Sequence, residues 1–120
     1  MIDSLLVGKT IFDKLDEIEA FGHRIYPLIA ENNTVFPFVI YTRTGLTGLM
    51  CKDGLYEDEV IMSIEIVTDN YSTGVDLAQM VREKLTFRTQ KMTSALSGAH
   101  EEFASDAYIQ TLEFLMKINN

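Results

Sequence analysis

Hydrophobic residues near the start of the chain recur at spacings of three and four residues. The apolar set is Ile2, Leu5, Leu6, Phe12, Leu15 and Ile18, and the charged residues Lys9, Asp13, Lys14, Asp16 and Glu17 lie between its members. This spacing predicts an amphipathic helix with one buried stripe, which Gly22 is placed to end. Gly8 leaves two alternatives open, because glycine inside a helix marks either a break or a site of close packing.

Alternating patterns in the next part of the chain predict strands. We expect a short strand over 24–27 and a longer one over 36–44. In the longer strand, Phe38, Ile40 and Thr42 share one face, and Val39, Tyr41 and Arg43 share the other. The segment 45–54 holds the turn signal Asp53-Gly54 and is longer than a tight hairpin needs, so we interpret it as a contact loop or a mobile loop.

The second half of the chain carries the clearest patterns. A strand is predicted from Tyr56 to Thr68, with its uniformly apolar side facing the helices. A second amphipathic helix follows over 73–85, and its buried side consists of Leu77, Ala78, Val81 and Leu85. The segment 86–92 is interpreted as a polar connector, and 92–102 as a weakly patterned strand. Strict alternation predicts a closing strand from Tyr108 to Ile118.

The order of these elements predicts the fold class. Helix, strands, helix and strands with hairpin-like connections indicate an α+β domain, which has an antiparallel sheet of about four to five strands with two amphipathic helices packed on one face. The order does not alternate strictly enough for a doubly wound parallel sheet. A length of 120 residues fits one domain over 1–120.

The two prolines give the chain a more specific pattern. Tyr26-Pro27-Leu28-Ile29-Ala30 is followed by polar residues and then by Phe36-Pro37-Phe38-Val39-Ile40-Tyr41. A Gly-rich hairpin tip, a long strand and a helix from Val75 to Leu85 come next. This succession resembles the tail-completion family of tailed bacteriophages, the tail-to-head joining proteins that also occur in prophages. The pattern consists of core and turn residues.

The resemblance implies a structural protein of the virion that is made in the cytoplasm of the bacterial host. Such proteins form rings, usually hexameric, at the head-proximal end of the tail, where sheet edges and loops join neighbouring subunits. The implied partners are further copies of the chain, the tail tube and the head-connector proteins, while DNA passes through without specific binding. The residues that we assign to subunit or lumen contacts are Arg43, Gly48, Lys52, Asp53, Glu57, Asp58 and Glu59.

Net charge limits the possible partners. Ten basic and eighteen acidic side chains give a net charge of −8. Because nucleic-acid affinity depends on neutralising phosphates, this chain is not expected to hold DNA. The acidic surface either keeps a passing polyanion from sticking or keeps the protein soluble. No apolar run approaches the ~18 residues of a membrane span, so no membrane partner is expected.

A search for chemistry predicts no enzyme, no metal and no cofactor. Cys51 is the single cysteine, and neither His23 nor His100 has a context that predicts pairing with it. We interpret His23 as a residue that meets the last carbonyls of the first helix. The acidic groups 57–59 and 101–106 lack the spacing of a calcium loop. The alternative to a virion role is a small-ligand or peptide binding module that uses the same half-exposed sheet, and an enzyme that uses Cys51 is the remaining rival.

Overall fold

The structure, a computed structural model, describes residues 4–50 and 56–119. Its helices are α1 (Val7–Asp16) and α2 (Tyr71–Leu85), and single 3-10 turns lie at Ser4–Leu6 and Glu19–Phe21. Its strands are β1 (Ile25–Pro27), β2 (Phe38–Met50), β3 (Tyr56–Thr68), β4 (Phe87–Arg88), β5 (Met92–Ala104) and β6 (Ala107–Asn119). The α+β class predicted from the sequence is therefore correct.

The six strands form one sheet in the order β1-β2-β3-β6-β5-β4. Strand β1 is parallel to β2, and all other neighbours are antiparallel. Two long hairpins, β2–β3 and β5–β6, lie side by side through β3 and β6. The Met50–Tyr56 pair of the first hairpin and the Ala104–Ala107 pair of the second lie at opposite ends of a molecule that measures 51 × 23 × 22 Å. The β5–β6 turn consists of Ser105 and Asp106, both with positive φ, as a tight hairpin requires.

Both helices pack on one face of the sheet, which we call the helix face. The Gly74 position of α2 lies against Thr68 and Gln110, and Gly8 of α1 lies against Tyr41. The register places Tyr41 beside Ile64, which shares its face of β3 with Thr68 because side chains alternate. The buried side of α2 contains Leu77, Ala78, Val81 and Leu85, as predicted. The core therefore lies between this face and the helices.

The first helix differs from its prediction. Its buried residues are Val7, Ile11 and Leu15, whereas Leu5 and Leu6 are exposed. Leu5 and Leu6 lie in the preceding 3-10 turn, which has a different periodicity from an α-helix and rotates them away from the core. The helix ends at Asp16, and Gly22 instead ends the 3-10 turn that follows. The helix continues through Gly8, so the alternative of a break there is wrong.

The sheet also differs in detail from its prediction. It has six strands rather than four to five, because the polar connector contains the two-residue strand β4, and it is mixed because β1 is parallel to β2. The segment Gly45–Met50, interpreted as loop, belongs to β2. An irregularity between Arg43 and Gly45 lets the ladder with β3 continue past an unpaired residue. Residues 51–54 of the predicted loop lie outside the described part of the chain.

The contact between α2 and the sheet can be tested at Gly74. A Cβ atom there would lie 2.9 Å from Thr68 Oγ1, which is itself fixed by donating to the Asn70 carbonyl at 2.8 Å. We expect Gly74→Ala to lower the free energy of unfolding by about 1–3 kcal/mol, because overpacking outweighs the better helix propensity of alanine. Urea denaturation measures this difference.

Gly8→Ala is the matched control for Gly74→Ala. Its Cβ atom would lie 3.4 Å from Tyr41 Cε2, which is an ordinary contact distance. We expect this variant to stay within about 1 kcal/mol of the wild type. A Gly74→Ala protein as stable as Gly8→Ala would contradict the described packing.

Candidate functional site

Two strand edges of the sheet are unpaired over most of their length. Strand β1 pairs only with Val39–Tyr41 of β2, and no other described strand lies against that edge. Strand β4 pairs only with Thr93 and Ser94 of β5, which leaves the described edge from Ala95 to Ala104 open. Open strand edges present N–H and C=O groups to which another strand can bond. The two open stretches lie on opposite sides of the sheet and toward opposite ends of the molecule.

The register shows which N–H groups of β2 point outward. Val39 N donates to the Arg24 carbonyl at 3.0 Å, and the Tyr41 carbonyl accepts from Leu28 N at 3.0 Å. These odd-numbered residues therefore face β1 rather than β3. The irregularity after Arg43 adds one residue and reverses the alternation. The N–H groups of Leu46, Gly48 and Met50 consequently point away from β3 into the open edge.

The acidic run at 57–59 is divided between the two faces of the sheet. Its neighbour Val60 is buried on the helix face, so alternation places Asp58 on that face too. Glu57 and Glu59 lie on the opposite side, which we call the open face. A Cβ atom at Gly48 would lie 3.3 Å from Asp58 Oδ1, so these two assigned residues are direct neighbours. The run does not form one continuous acidic surface.

The open face combines an acidic region with an apolar groove. Besides Glu57 and Glu59, alternation places on it Glu65, His100, Glu102, Glu113 and Lys117. Lys117 lies directly opposite Glu59 on the neighbouring strand. Near the other end, a groove of about 420 Å³ is lined by Phe36, Phe38, Ile40, Glu65, Val67 and Ile109 with parts of the 30–34 and 104–107 segments. Glu65 thus lines the groove, whereas Glu57 and Glu59 lie at the other end of the same face.

Arg43 makes a contact within its own chain. Its Nη1 donates to the Leu5 carbonyl at 3.2 Å and connects the first 3-10 turn to β2. Tyr41 lines a pocket of about 200 Å³ together with Leu5 and Arg43, and burial raises its pKa above the ordinary value. The guanidinium carries further N–H donors. A contact between Arg43 and a carboxylate of a neighbouring subunit therefore stays a prediction. Lys52 and Asp53 lie outside the described residues, as does Cys51.

One histidine lies at the end of the first helix. His23 Nδ1 lies 2.5 Å from Asp16 Oδ1, so His23 contacts the side chain of the last α1 residue. This contact is with a carboxylate rather than with the helix carbonyls that the sequence predicted. Within 4–50 and 56–119, no three His, Cys, Asp or Glu residues are grouped to hold a metal ion. Neither helix there is long and apolar enough to cross a membrane.

Glu101 belongs to a cluster that the sequence did not predict. Its Oε2 accepts from Gln110 Nε2 at 2.7 Å and from the Tyr71 hydroxyl at 2.9 Å. These hydrogen bonds, that of Gln110 first, lower the pKa of Glu101 below its ordinary value. The hydrogen bond to Glu101 and its negative charge raise the pKa of Tyr71. The cluster joins α2, β5 and β6. Predicting it from the sequence would have required knowing which residues of β5 and β6 are paired.

The fold is shared with a known structure. A chain of the virion of a native gene transfer agent (GTA) particle matches with a TM-score of 0.76 and 13% sequence identity, over 92% of this chain and 92% of that one. Comparison with protein-family models finds no match, and comparison with curated proteins finds none either. The likeness therefore lies in the arrangement of helices and strands.

The division of the acidic run can be tested by double-mutant cycles. Glu59 and Lys117 are cross-strand neighbours on the open face, whereas Asp58 lies on the helix face opposite Ile118. We expect a stabilising coupling of about 0.2–1 kcal/mol between Glu59→Gln and Lys117→Gln, measured by urea denaturation at low salt. The control cycle of Asp58→Asn with Lys117→Gln should show almost no coupling. Equal couplings in the two cycles would place the three side chains on one surface instead.

The Tyr71–Glu101 hydrogen bond can be tested by titration. Ionising Tyr71 loses its donated proton and brings a second negative charge beside Glu101, so deprotonation requires a higher pH than the ordinary pKa of 10.0. We expect Glu101→Gln to lower the Tyr71 pKa toward that value, as measured by NMR of ring-labelled tyrosine. Glu113→Gln, on the open face, is the control and should leave the titration unchanged. An unaltered Tyr71 pKa in Glu101→Gln would show that the contact does not form in solution.

Proposed function

We propose that this chain is a structural protein of a phage or prophage virion. In this proposal, residues 1–120 form one tail-completion-like domain that assembles into a ring at the head-proximal end of the tail and joins the tail to the head connector. The observation that carries the proposal is the fold shared with a chain of a gene transfer agent virion over 92% of both lengths. The YP and FPFVIY segments of the sequence support the same assignment.

The open strand edges supply a physical means of assembly. The β2 edge and the β5 edge lie on opposite sides of one sheet, so the β2 edge of one copy can add to the β5 edge of the next. Such a head-to-tail contact uses two different surfaces and closes into a ring when the rotation between copies fits. Because β2 and β5 run in opposite directions, copies in the same orientation would pair antiparallel. The expected number of six copies per ring comes from the family resemblance.

The positions of the open edges constrain the geometry of this ring. The open part of β2 lies toward Met50, and the open part of β5 lies toward Ser105 and Asp106 at the other end of the sheet. Pairing them requires each copy to shift along the strand direction relative to its neighbour. A closed ring accommodates such a shift when the strands are tilted against the ring axis, as in a barrel. Gly48, Arg43 and the residues at 52–53 would then lie at or beside the subunit contact.

The acidic residues suit the passage of DNA. The net charge of −8 and the open-face carboxylates, which include Glu57 and Glu59, would repel phosphate groups. A channel lined with such residues lets DNA pass without specific binding. In the proposal, the ring contacts the tail tube and the head-connector proteins, and the protein reaches the virion from the cytoplasm of the host.

A second candidate function has one observation in its favour. The groove between Phe36, Phe38 and Ile109 on the open face has a volume of about 420 Å³, within the usual range of ligand sites. A small-ligand or peptide binding module would use this groove as a monomer or dimer. Such a module would show ligand-dependent thermal stabilisation, which the ring proposal does not require.

The ring can be tested through the outward N–H of Gly48. Gly48→Pro removes this donor and leaves the β2–β3 ladder intact, because proline is tolerated where its N–H would face away from the partner strand. We expect the wild type to form closed rings with a central channel, seen by light scattering across a concentration series and by negative-stain imaging. Gly48→Pro should remain monomeric at concentrations where the wild type assembles.

Gly48→Ala is the control, because it keeps the N–H and adds the same Cβ atom beside Asp58. It should form rings, and thermal unfolding should show that both variants are folded. If Gly48→Pro forms rings at the concentration at which the wild type does, the β2 edge does not take part in the subunit contact. A wild type that stays monomeric at every concentration would contradict self-assembly and favour either assembly on a partner or the binding module.

A further inference from the structure

A small pocket on the helix face is lined by aromatic rings and a carboxylate. It has a volume of about 280 Å³ and lies beside the start of α2, where Tyr71, Phe103 and Tyr108 surround Glu101 and Gln110. The Phe103 and Tyr108 ring centroids lie 4.9 Å apart, and those of Tyr71 and Tyr108 lie 5.9 Å apart at 70°. Glu101 and Phe103 also belong to the open edge of β5, and Glu102 of the open face completes the lining.

The aromatic rings of this pocket present surface to solvent. Phe103 is 60% exposed and Tyr71 is 48% exposed. Glu101 is fixed at the centre by Gln110 and by the Tyr71 hydroxyl, so its carboxylate is held in one orientation. A carboxylate accepts about four hydrogen bonds, which leaves positions for a further donor. Exposed ring faces around an oriented carboxylate are the features that bind an organic cation.

We propose that this pocket binds an arginine side chain of a basic partner protein. The guanidinium would stack on the exposed face of Phe103 or Tyr108 and donate hydrogen bonds to Glu101. Arginine fits better than lysine because its planar group stacks on aromatic rings and forms two parallel hydrogen bonds with a carboxylate. This inference goes beyond the proposed function, because it uses side chains on the helix face, whereas the proposed ring contact uses backbone groups of the β5 edge.

Charge favours a partner that differs from this chain. A net charge of −8 attracts a basic protein, whereas a second copy carries the same negative charge. Two of the arginines of the chain, Arg24 and Arg43, already donate to backbone carbonyls of their own chain. Nucleic acid is a poor occupant, because its phosphates would be repelled by Glu101.

The cation specificity can be tested with a matched pair of small probes. Labelled full-length protein is titrated with N-acetyl-arginine amide and with N-acetyl-citrulline amide, which has a similar shape and no charge. We expect saturable NMR shifts of the Phe103, Tyr108 and Glu101 side chains with the arginine probe, at an affinity on the order of millimolar. The citrulline probe should cause no saturable shift. Equal shifts from both probes, or none from arginine, would overturn the proposal.

Variants then locate the binding in the pocket. Glu101→Gln keeps the shape and removes the charge, and Phe103→Leu removes a ring, so each should weaken arginine binding about tenfold or more while the protein stays folded by thermal unfolding. Glu113→Gln, a carboxylate on the open face, is the control and should bind arginine as the wild type does. Equal weakening by Glu113→Gln would show a general charge effect and overturn the site.

A separate measurement tests whether the partner is a different protein or a second copy of this chain. Sedimentation of the wild type and of Glu101→Gln compares their self-association at equal concentrations. We expect Glu101→Gln to leave self-association unchanged, because the arginine comes from another protein. Self-association that is lost in Glu101→Gln would place a second copy in the pocket and overturn the assignment to a different partner.

Discussion

The pairing of β3 with β6 is the interaction on which the rest of the structure depends. It joins two hairpins that are each continuous in sequence, and its register aligns Met62 with Phe114 and Ile64 with Leu112 on the helix face. These side chains are buried and form the surface on which α2 packs. A shift of one residue would move every one of them to the open face, so this register is strongly specified by the hydrophobic pattern.

The same pairing explains why the open strand edges lie at the periphery. With β3 and β6 in the centre, the outer strands β2 and β5 receive only the short strands β1 and β4 as neighbours. These short strands leave backbone N–H and C=O groups of β2 and β5 available for pairing with another chain. Most proteins protect such open edges unless the edge has a use. The Tyr71–Glu101 pocket lies at the Ser105–Asp106 end of the sheet, on the open β5 edge. In the two proposals, backbone groups of this edge pair with another copy, and side chains on its helix face bind a basic side chain.

Local patterns predicted much of this architecture. The apolar alternation of Val60 to Ile66 and the helical spacing from Leu77 to Leu85 correspond to β3 and α2, because each pattern reports which side of one element is buried. The prediction failed where a residue departs from regular periodicity. Leu5 follows a 3-10 turn rather than an α-helix, and the irregularity after Arg43 extends β2 through a glycine-containing segment that otherwise predicts a loop.

The sequence by itself determined the α+β class, the long strands and the acidic character, since these follow from composition and from periodicity within single elements. Only the tertiary structure decided the strand order, the parallel position of β1 and the division of Glu57, Asp58 and Glu59 between two faces. It also brought Tyr71 to Glu101, residues that lie 30 positions apart. Such contacts depend on the register between distant strands, which the packing of the whole core selects and no local pattern contains.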